Sequence, residues 1–274
     1  MRVISAFSIG VALTLCVGAP FAADLPSKKA APAPVAVAPA PPAFSWSGFY
    51  AGLNAGYDWG GSANLWSVNS ATIASIPGLQ AAVNAAGSQK MSERGAAIGG
   101  QIGYLWQATP LALVGVEVNV DRNGLRGGQD LAPQPIPGFA GSTFTDSQGL
   151  QATWTAGLRA RLGVTPTDGL MVYGLGGFGV AGIRYSSVFN DTFNEYEAFQ
   201  GAQVKAGWTM GGGVECALSA QLSARAEYAY SRYGAITGTG STLLTDGTTA
   251  VVSHSSGTLK VNSFRVGLNY RFGN

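Results

Sequence analysis

The sequence predicts an all-β protein: an eight-stranded antiparallel up-and-down transmembrane β-barrel. Eight segments alternate apolar and polar residues with a period of two, which is the pattern of a strand with two different faces. Long and short connections alternate between these segments, as they do in outer-membrane barrels. Charged residues make up only 11% of the chain, against roughly 25% in soluble proteins. A run of about 18 apolar residues, as a spanning helix requires, is missing after residue 23.

Residues 1–23 have the features of a signal peptide. Arg2 precedes an apolar core, and small residues surround the expected cleavage point after Ala22 or Ala23. The sequence leaves open which of the two bonds is cut. A leader of this kind predicts export from the cytoplasm.

Residues 24–45 are rich in Pro and Ala and predict an extended periplasmic spacer. The barrel is then expected to occupy residues 46–274. Cleavage of the leader removes Cys16 and leaves Cys216 as the single cysteine. No internal disulfide is therefore expected, and the fold must be held by other means.

The last segment shows the strand pattern most clearly, because Phe264, Val266 and Leu268 alternate with polar or small residues. It is expected to close the barrel against the first strand, with the apolar faces toward lipid and the polar faces inside. The strands are expected near residues 47–59, 93–106, 112–121, 150–164, 170–185, 204–216, 222–230 and 260–272. Four long loops are expected at residues 60–92, 122–149, 186–202 and 231–259, with one short helix at 79–86 in the first.

Aromatic residues gather near the ends of the predicted strands, as in the two interfacial girdles of a membrane barrel. The girdle on the side of the short turns is expected to contain Tyr104, Trp106, Tyr173, Tyr270 and Phe272. The girdle on the side of the long loops is expected to contain Tyr57, Trp59, Trp154, Trp208, Tyr228 and Tyr230.

Several segments resemble the Omp25/Omp31-type (RopB-type) outer-membrane proteins of alphaproteobacteria. The segments that carry the resemblance are FSWSGFYAGLNAGY at 44–57, GWTMGGGVE at 207–215, ARAEY at 224–228 and VGLNYRF at 266–272. The resemblance implies a small porin-like barrel, of the same general kind as the OmpA and OmpX membrane domains, in the outer membrane of a Gram-negative bacterium. It also implies lipid and lipopolysaccharide as surroundings, and periplasmic chaperones and the barrel-assembly machinery as partners in biogenesis. A homo-oligomer stays open.

Proteins of this family usually end on an aromatic residue that the assembly machinery reads. The corresponding assembly signal is expected at Tyr270 and Phe272, although Gly273 and Asn274 follow here.

The polar faces place a set of charged side chains inside the predicted barrel. Its members are Glu117, Asp121, Arg159, Arg161, Lys205, Glu215, Arg225, Glu227, Arg265 and Arg271. Buried charges are costly unless they pair, and an eight-stranded barrel is just wide enough for side chains to fill it. We therefore favour a plug of ion pairs over a charged pore. The alternative of a narrow wet passage remains, because glycines also lie on the inward faces at positions 99, 103, 115, 157, 213 and 267.

The single histidine, His254, lies in the fourth predicted loop with Asp246 nearby. This pair suggests a third hypothesis, an outer-membrane acyltransferase or hydrolase. One histidine among hydroxyl residues is more simply a solvated residue, and no enzyme is expected. The net charge of +2 gives no reason to expect nucleic-acid binding, and no metal-ligand spacing occurs. Residues 174–179 fit the G-x-G-x-x-G pattern, but a dinucleotide site needs a helix there and residues 180–185 continue as a predicted strand, so no cofactor is expected. The predicted function is envelope structure with host or surface interaction through the loops; a small-solute channel is the alternative.

Overall fold

A computed structural model of the chain describes residues 45–69, 90–192, 196–243 and 249–272, together with a few positions between 78 and 88. The predicted signal peptide, nearly all of the predicted spacer, Asp246 and the pair Gly273–Asn274 lie outside these residues. Eight antiparallel strands form a closed barrel in sequence order. The strands are β1 Gly48–Asn69, β2 Lys90–Gln107, β3 Ala112–Pro135, β4 Thr143–Thr167, β5 Leu170–Asp191, β6 Tyr196–Ala217, β7 Leu222–Leu243 and β8 Thr249–Arg271.

The first and last strands close the barrel, as the sequence predicts. Tyr57 of β1 lies opposite Phe264 of β8, and the same register continues to Tyr50 opposite Arg271. The short connections 108–111, 168–169 and 218–221 lie at one end, which we call the turn end. The opposite end, where the connections 70–89, 136–142, 192–195 and 244–248 lie, we call the loop end. Every described strand therefore has two neighbours, and no sheet edge is left unpaired.

The strands extend much farther toward the loop end than the sequence predicts. Residues 122–135 and 143–149, expected as one long loop, continue β3 and β4 as a paired ribbon, which leaves only residues 136–142 as the connection. The same correction applies to large parts of the other three predicted loops. Backbone hydrogen bonds between neighbouring strands hold these extensions together. Polar residues such as Ser, Thr and Gln are tolerated there, because the strands face water on one side. The ladder slips between Leu131 and Gln134, where Pro133 has no N–H to donate.

The two faces of the barrel wall have opposite chemistry near the turn end. Leu53, Ile98 and Phe178 point outward and are among the most exposed apolar residues, at 63–76%. Glu117 and Glu215 point inward and are at most 1% exposed. This is the reverse of a soluble barrel and fits a wall that is solvated by hydrocarbon chains.

A register shift in β4 reverses this parity at the loop end. It lies between Ala152 and Trp154. The pairing of β3 with β4 also shifts, between Arg122 and Leu125, but Asn123 and Leu125 continue the inward parity of Glu117 and Asp121 in β3. A bulge adds one residue and so turns the following side chains to the other face. Leu150 and Ala152, expected on the lipid face, are therefore buried inside the barrel, which corrects the sequence prediction.

Most of the predicted girdle residues do lie on the outer face, but Tyr173 does not. Pairs of rings contact each other at both ends, with centroids 4.8 Å apart for Phe49 and Tyr104 and 5.6 Å apart for Trp208 and Tyr230. Tyr173 is buried in the lumen because it shares the inward parity of its β5 neighbours Met171 and Leu175. Glycines on both faces of β5 obscured that parity in the sequence.

Residues 81–82 and 84–85 are helical, within the span 79–86 where a short helix is expected. Among the described residues, no helix is long and apolar enough to cross a membrane.

Candidate functional site in the barrel lumen

Glu117 is the centre of the charged cluster inside the barrel. Its Oε1 pairs with Arg159, while its Oε2 lies 2.5 Å from Nη1 of Arg225 and 3.5 Å from Nη1 of Arg161. The hydroxyl of Tyr50 donates a further hydrogen bond of 2.7 Å to the same oxygen. These groups come from β1, β3, β4 and β7, so the carboxylate of Glu117 ties together strands on opposite walls.

Glu227 extends the cluster on the other side of Arg159. Nη1 of Arg159 lies 2.7 Å from Oε1 of Glu227, so this guanidinium bridges two carboxylates. The misassigned Tyr173 donates to Oε2 of Glu227 at 3.0 Å. Its ring also lies under the guanidinium of Arg161, with 3.8 Å from Cζ to the ring centroid. Such a stack of cation on ring is stabilising where water is excluded.

Glu215 holds the turn end of the cluster. Its two oxygens lie 2.8 Å from Nη2 of Arg161 and 2.9 Å from Nη2 of Arg271. Ser223 and Asn269 donate two further hydrogen bonds to Oε1, at 2.6 and 3.0 Å. Both oxygens of this buried carboxylate are thereby hydrogen-bonded, as a buried charge requires.

Trp46 closes the turn end below these ion pairs. Its carbonyl oxygen accepts a hydrogen bond of 2.8 Å from Nη1 of Arg271, and its indole nitrogen donates to the carbonyl of Asp168 at 3.0 Å. The guanidinium of Arg271 stacks 4.7 Å from the Trp46 ring. The segment just before β1 is thus drawn across the barrel opening. Leu105, Leu113 and Met171 pack beside Trp46 in an apolar group, which we call the turn-end cluster.

Arg265 and Asp58 form a separate ion pair, with both guanidinium–carboxylate distances at 2.7 and 2.9 Å. Asp58 is buried and was not among the charges singled out from the sequence, although it lies on the predicted inward face of β1. Among the described residues, four of the buried acids form ion pairs with the five buried arginines at positions 159, 161, 225, 265 and 271: Asp58, Glu117, Glu215 and Glu227. Three further acids, Glu93, Asp121 and Asp146, are buried outside this set of ion pairs.

Asp121 and Lys205 lie inside but outside these ion pairs. Asp121 accepts a hydrogen bond of 2.6 Å from Asn119 and lines an internal cavity of about 60 Å³. Asn54 and Asn123 also line this cavity, and each has one side-chain oxygen without a protein donor. A polar space of this size holds a few waters. Lys205 is half-buried on the inward face of β6 and has no ion pair among the described residues.

A second apolar group lies between this cavity and the loop end, and we call it the loop-end cluster. It includes Leu125, Leu150, Ile183, Tyr233 and Leu259. The lumen is thus a stack of layers: the turn-end cluster, the ion pairs, the small polar cavity and the loop-end cluster. Most of this layer follows the inward parity that each strand already has nearer the turn end, as Leu125, Tyr233 and Leu259 do. Leu150 is the exception, because its burial depends on the bulge in β4, which leaves no clear mark in the sequence.

The inward glycines receive the large side chains of this stack. A Cβ at Gly103 would lie 2.5 Å from the Tyr50 ring, and one at Gly213 would lie 2.7 Å from the Tyr173 hydroxyl. Gly115 likewise receives Leu105. These glycines therefore make room for side chains that fill the lumen, which removes the reason for reading them as the wall of a wet passage.

His254 lies within strand β8 and not in a loop, since its backbone pairs with Trp66 of β1 and Gly238 of β7. Among the residues that the structure describes, no group of three or more His, Cys, Asp and Glu side chains could hold a metal ion.

Tyr270 and Phe272, the expected assembly signal, lie together on the outer face at the turn end. Their rings are 5.2 Å apart in an edge-to-face arrangement. The backbone N–H of Phe272 donates to the carbonyl of Phe49 at 2.9 Å, which ties the end of the chain to β1.

Comparison with known proteins agrees with a closed barrel that has a lipid-facing wall. A family model described as "Outer membrane protein beta-barrel domain" matches residues 30–272. The chain belongs to this outer-membrane β-barrel family. The barrel therefore resides in the outer membrane, and lipid surrounds its apolar wall.

Two relatives from Brucella melitensis show which type of outer-membrane protein the chain resembles. The 31 kDa outer-membrane immunogenic protein of Brucella melitensis is 30% identical over 231 residues, which is 84% of this chain and 85% of that protein. The 25 kDa outer-membrane immunogenic protein of the same organism is 27% identical over 255 residues, 92% of this chain and 90% of that one. The resemblance to the Omp25/Omp31 type is thereby confirmed.

Solved structures that match the chain do so at low sequence identity. Ail of Yersinia pestis is 14% identical with a TM-score of 0.35, over 82% of this chain and 99% of that one. Neisserial surface protein A is also 14% identical, with a TM-score of 0.37, over 82% of this chain and 98% of that one.

Proposed function

We propose that this outer-membrane barrel is a closed structural anchor that contributes to envelope integrity and presents its loop end at the cell surface. The observation that carries the proposal is the filled lumen. Two apolar clusters and a connected set of ion pairs lie in series along the barrel, and the one polar cavity described between them has about 60 Å³. A solute would have to displace Glu117 from three arginines to pass.

Solute entry into proteoliposomes tests the closed lumen. Vesicles that contain the folded barrel are expected to swell in an isotonic pentose solution no faster than empty vesicles. A general porin in the same lipid serves as the positive control, and resistance of the inserted barrel to protease confirms insertion. Swelling that depends on the barrel would favour the alternative function of a small-solute channel.

Envelope integrity is tested in the native bacterium. A strain that lacks the protein is expected to be more sensitive to an anionic detergent, and the wild-type gene is expected to restore resistance. Unchanged sensitivity of the deletion strain would contradict the proposed role in envelope integrity. A His254→Ala variant is expected to restore resistance fully, since the proposal gives that side chain no chemistry. Failure of this variant alone would point to an enzymatic role.

We also propose that Tyr270 and Phe272 serve as the signal for assembly. Both side chains are exposed at the turn end, where the unfolded chain would present them to the assembly machinery. Phe272→Ala is expected to lower the amount of folded barrel in the outer membrane several-fold. Trp106→Ala, which removes an exposed aromatic ring at the same end, is the matched control and is expected to assemble normally. Equal amounts of both variants would contradict the assignment.

A further inference from the structure

The outer wall of the barrel carries its positive charge at one end only. Seven exposed cationic side chains lie on the outward face among the described residues, and all of them belong to the loop-end half. They are Lys90, Arg94, Arg122, Arg126, Arg184, Arg232 and Lys260. The cations of the turn-end half, such as Arg161 and Arg271, point into the lumen. We call the set without Lys90 the basic belt.

Cross-strand register fixes the basic belt at the depth of the tryptophan girdle. Arg94 lies opposite Trp59, and Arg122 lies opposite Trp154. On the far side of the barrel Arg232 lies opposite Trp208 in the same way. Tryptophan marks the boundary between hydrocarbon and headgroups in outer-membrane barrels, and cations at this boundary cost little to place. The basic belt therefore lies at headgroup level.

Two pairs within the belt place like charges directly opposite each other. Arg94 faces Arg126 across β2 and β3, and Arg232 faces Lys260 across β7 and β8. Directly opposed like charges destabilise a sheet. The described residues provide no ion pair for any of these four side chains. An anion from outside the protein would remove the repulsion.

Shallow grooves separate the arginines of the belt. Arg94, Arg126 and Gln151 line a groove of about 530 Å³ whose floor is Gly95, Ala96 and Gly124. The row continues through Arg184, which lies opposite Gln151 and lines a second groove of about 640 Å³ with Arg126. Small residues between forked donors leave room for a compact, multiply charged group.

We infer that the basic belt is a binding site for the phosphorylated sugar headgroup of lipopolysaccharide, with its phosphates between Arg94, Arg126 and Arg184. Guanidinium groups bind phosphate through paired hydrogen bonds. A lipid is favoured over a free anion because apolar surface continues below the belt. Ile98, 63% exposed, lies on the same face of β2 as Arg94 and four residues nearer the turn end, where an acyl chain would run. The inference rests on the proposed orientation, in which the loop end faces the outer leaflet.

Titration of the folded full-length barrel in detergent micelles tests this site. The probe is purified lipid A, followed by its retention on the barrel in gel filtration and by quenching of tryptophan fluorescence. Binding is expected to saturate, to weaken with salt and to fall at least about tenfold for lipid A stripped of its phosphates. Equal binding of the stripped lipid, or equal binding of inorganic phosphate alone, would overturn the inference.

A pair of variants with equal charge change assigns the binding to these residues. R94Q/R126Q is expected to lower the affinity for lipid A about tenfold or more, since it removes two charge-assisted donors. K28Q/K29Q also removes two positive charges, from the segment before the barrel, and is expected to bind as the wild type does. R184Q provides a single change on a neighbouring strand and is expected to weaken binding about threefold or more.

Unchanged affinity of R94Q/R126Q and R184Q in the folded state would overturn the inference, as would an equal loss in K28Q/K29Q. The swelling experiment on the lumen is independent of these results. A barrel that fails to bind lipid A and stays closed would contradict only the proposed lipid site at the basic belt. A barrel that binds lipid A and conducts would contradict only the proposed closure of the lumen.

Discussion

Glu117 shows how a single residue can organise the inside of the barrel. Its carboxylate meets Arg159, Arg161, Arg225 and the hydroxyl of Tyr50, and it is about 1% exposed. A buried ion pair adds little net stability when it is compared with apolar packing. Removal of one partner is different, because it leaves the remaining charges uncompensated.

Glu117→Ala is expected to lower the free energy of unfolding by about 3–5 kcal/mol, because three arginines would then lie close together without their shared carboxylate. Urea unfolding of the barrel in lipid vesicles measures this change. Asp130→Asn, which removes an exposed carboxylate on the same strand, is the control and is expected to change stability by less than about 0.5 kcal/mol. A loss below about 1 kcal/mol for Glu117→Ala would show that the cluster is solvated.

Gly103 is a second position where one atom matters. Its missing Cβ leaves the space in which the Tyr50 ring lies on its way to Glu117. Gly103→Ala is expected to destabilise the barrel by about 1–3 kcal/mol through overpacking. Gly176→Ala is the matched control in another strand, because the nearest atom to its added Cβ is 3.9 Å away. The same unfolding measurement compares them, and equal stability of the two variants would contradict a filled lumen at Tyr50.

Sequence periodicity predicts which side chains of a strand point inward as long as the strand has no bulge, and it fails beyond a bulge. In β1 the alternation predicts both faces correctly, with Tyr50, Asn54 and Asp58 inside. In β4 it predicts the wrong face for Leu150, because the bulge before Trp154 resets the alternation. The bulge depends on how β4 pairs with the neighbouring strand β5, and the residues of β4 alone do not predict it.

Reactivity of introduced cysteines tests this reversal in β4. In a Cys216→Ser background, Leu150→Cys is expected to resist a charged maleimide in the folded barrel, and Gln151→Cys is expected to react readily. Leu150 is 2% exposed, whereas Gln151 lines an open groove on the outer wall. Both variants should react fully after unfolding in urea. The opposite pattern in the folded state would mean that β4 continues without a bulge.

The length of the strands could not be predicted from the sequence either. A membrane strand needs about 9–11 residues, but β3 has 24 and β4 has 25. Many of their additional residues are polar or glycine, and the sequence therefore predicts a loop over residues 122–149. Pairing between consecutive strands is nevertheless favourable wherever a hairpin has formed below it, since each further residue adds backbone hydrogen bonds.

The molecule as a whole has two ends with different chemistry. At the turn end, Trp46 and Arg271 close the lumen, and the described residues of the outer wall include aromatic rings but no cations. At the loop end, the outer wall carries the basic belt beside the tryptophans. Nine of the ten charges that the sequence places on the inward faces are buried in the structure, and Lys205 is half-buried. The buried acids Asp58, Glu93 and Asp146 and the hydroxyl of Tyr173 could not be singled out from the sequence, because the choice of partner depends on three-dimensional register.

Single-channel recording in a planar bilayer tests the closed lumen most directly. The wild-type barrel, with insertion confirmed, is expected to give no discrete current steps, because the turn-end cluster, the ion pairs and the loop-end cluster block the path in series. A general porin in the same bilayer confirms that steps would be seen. Discrete wild-type steps whose size changes when Arg159 or Glu215 is neutralised would contradict the account and make the lumen a charged pore.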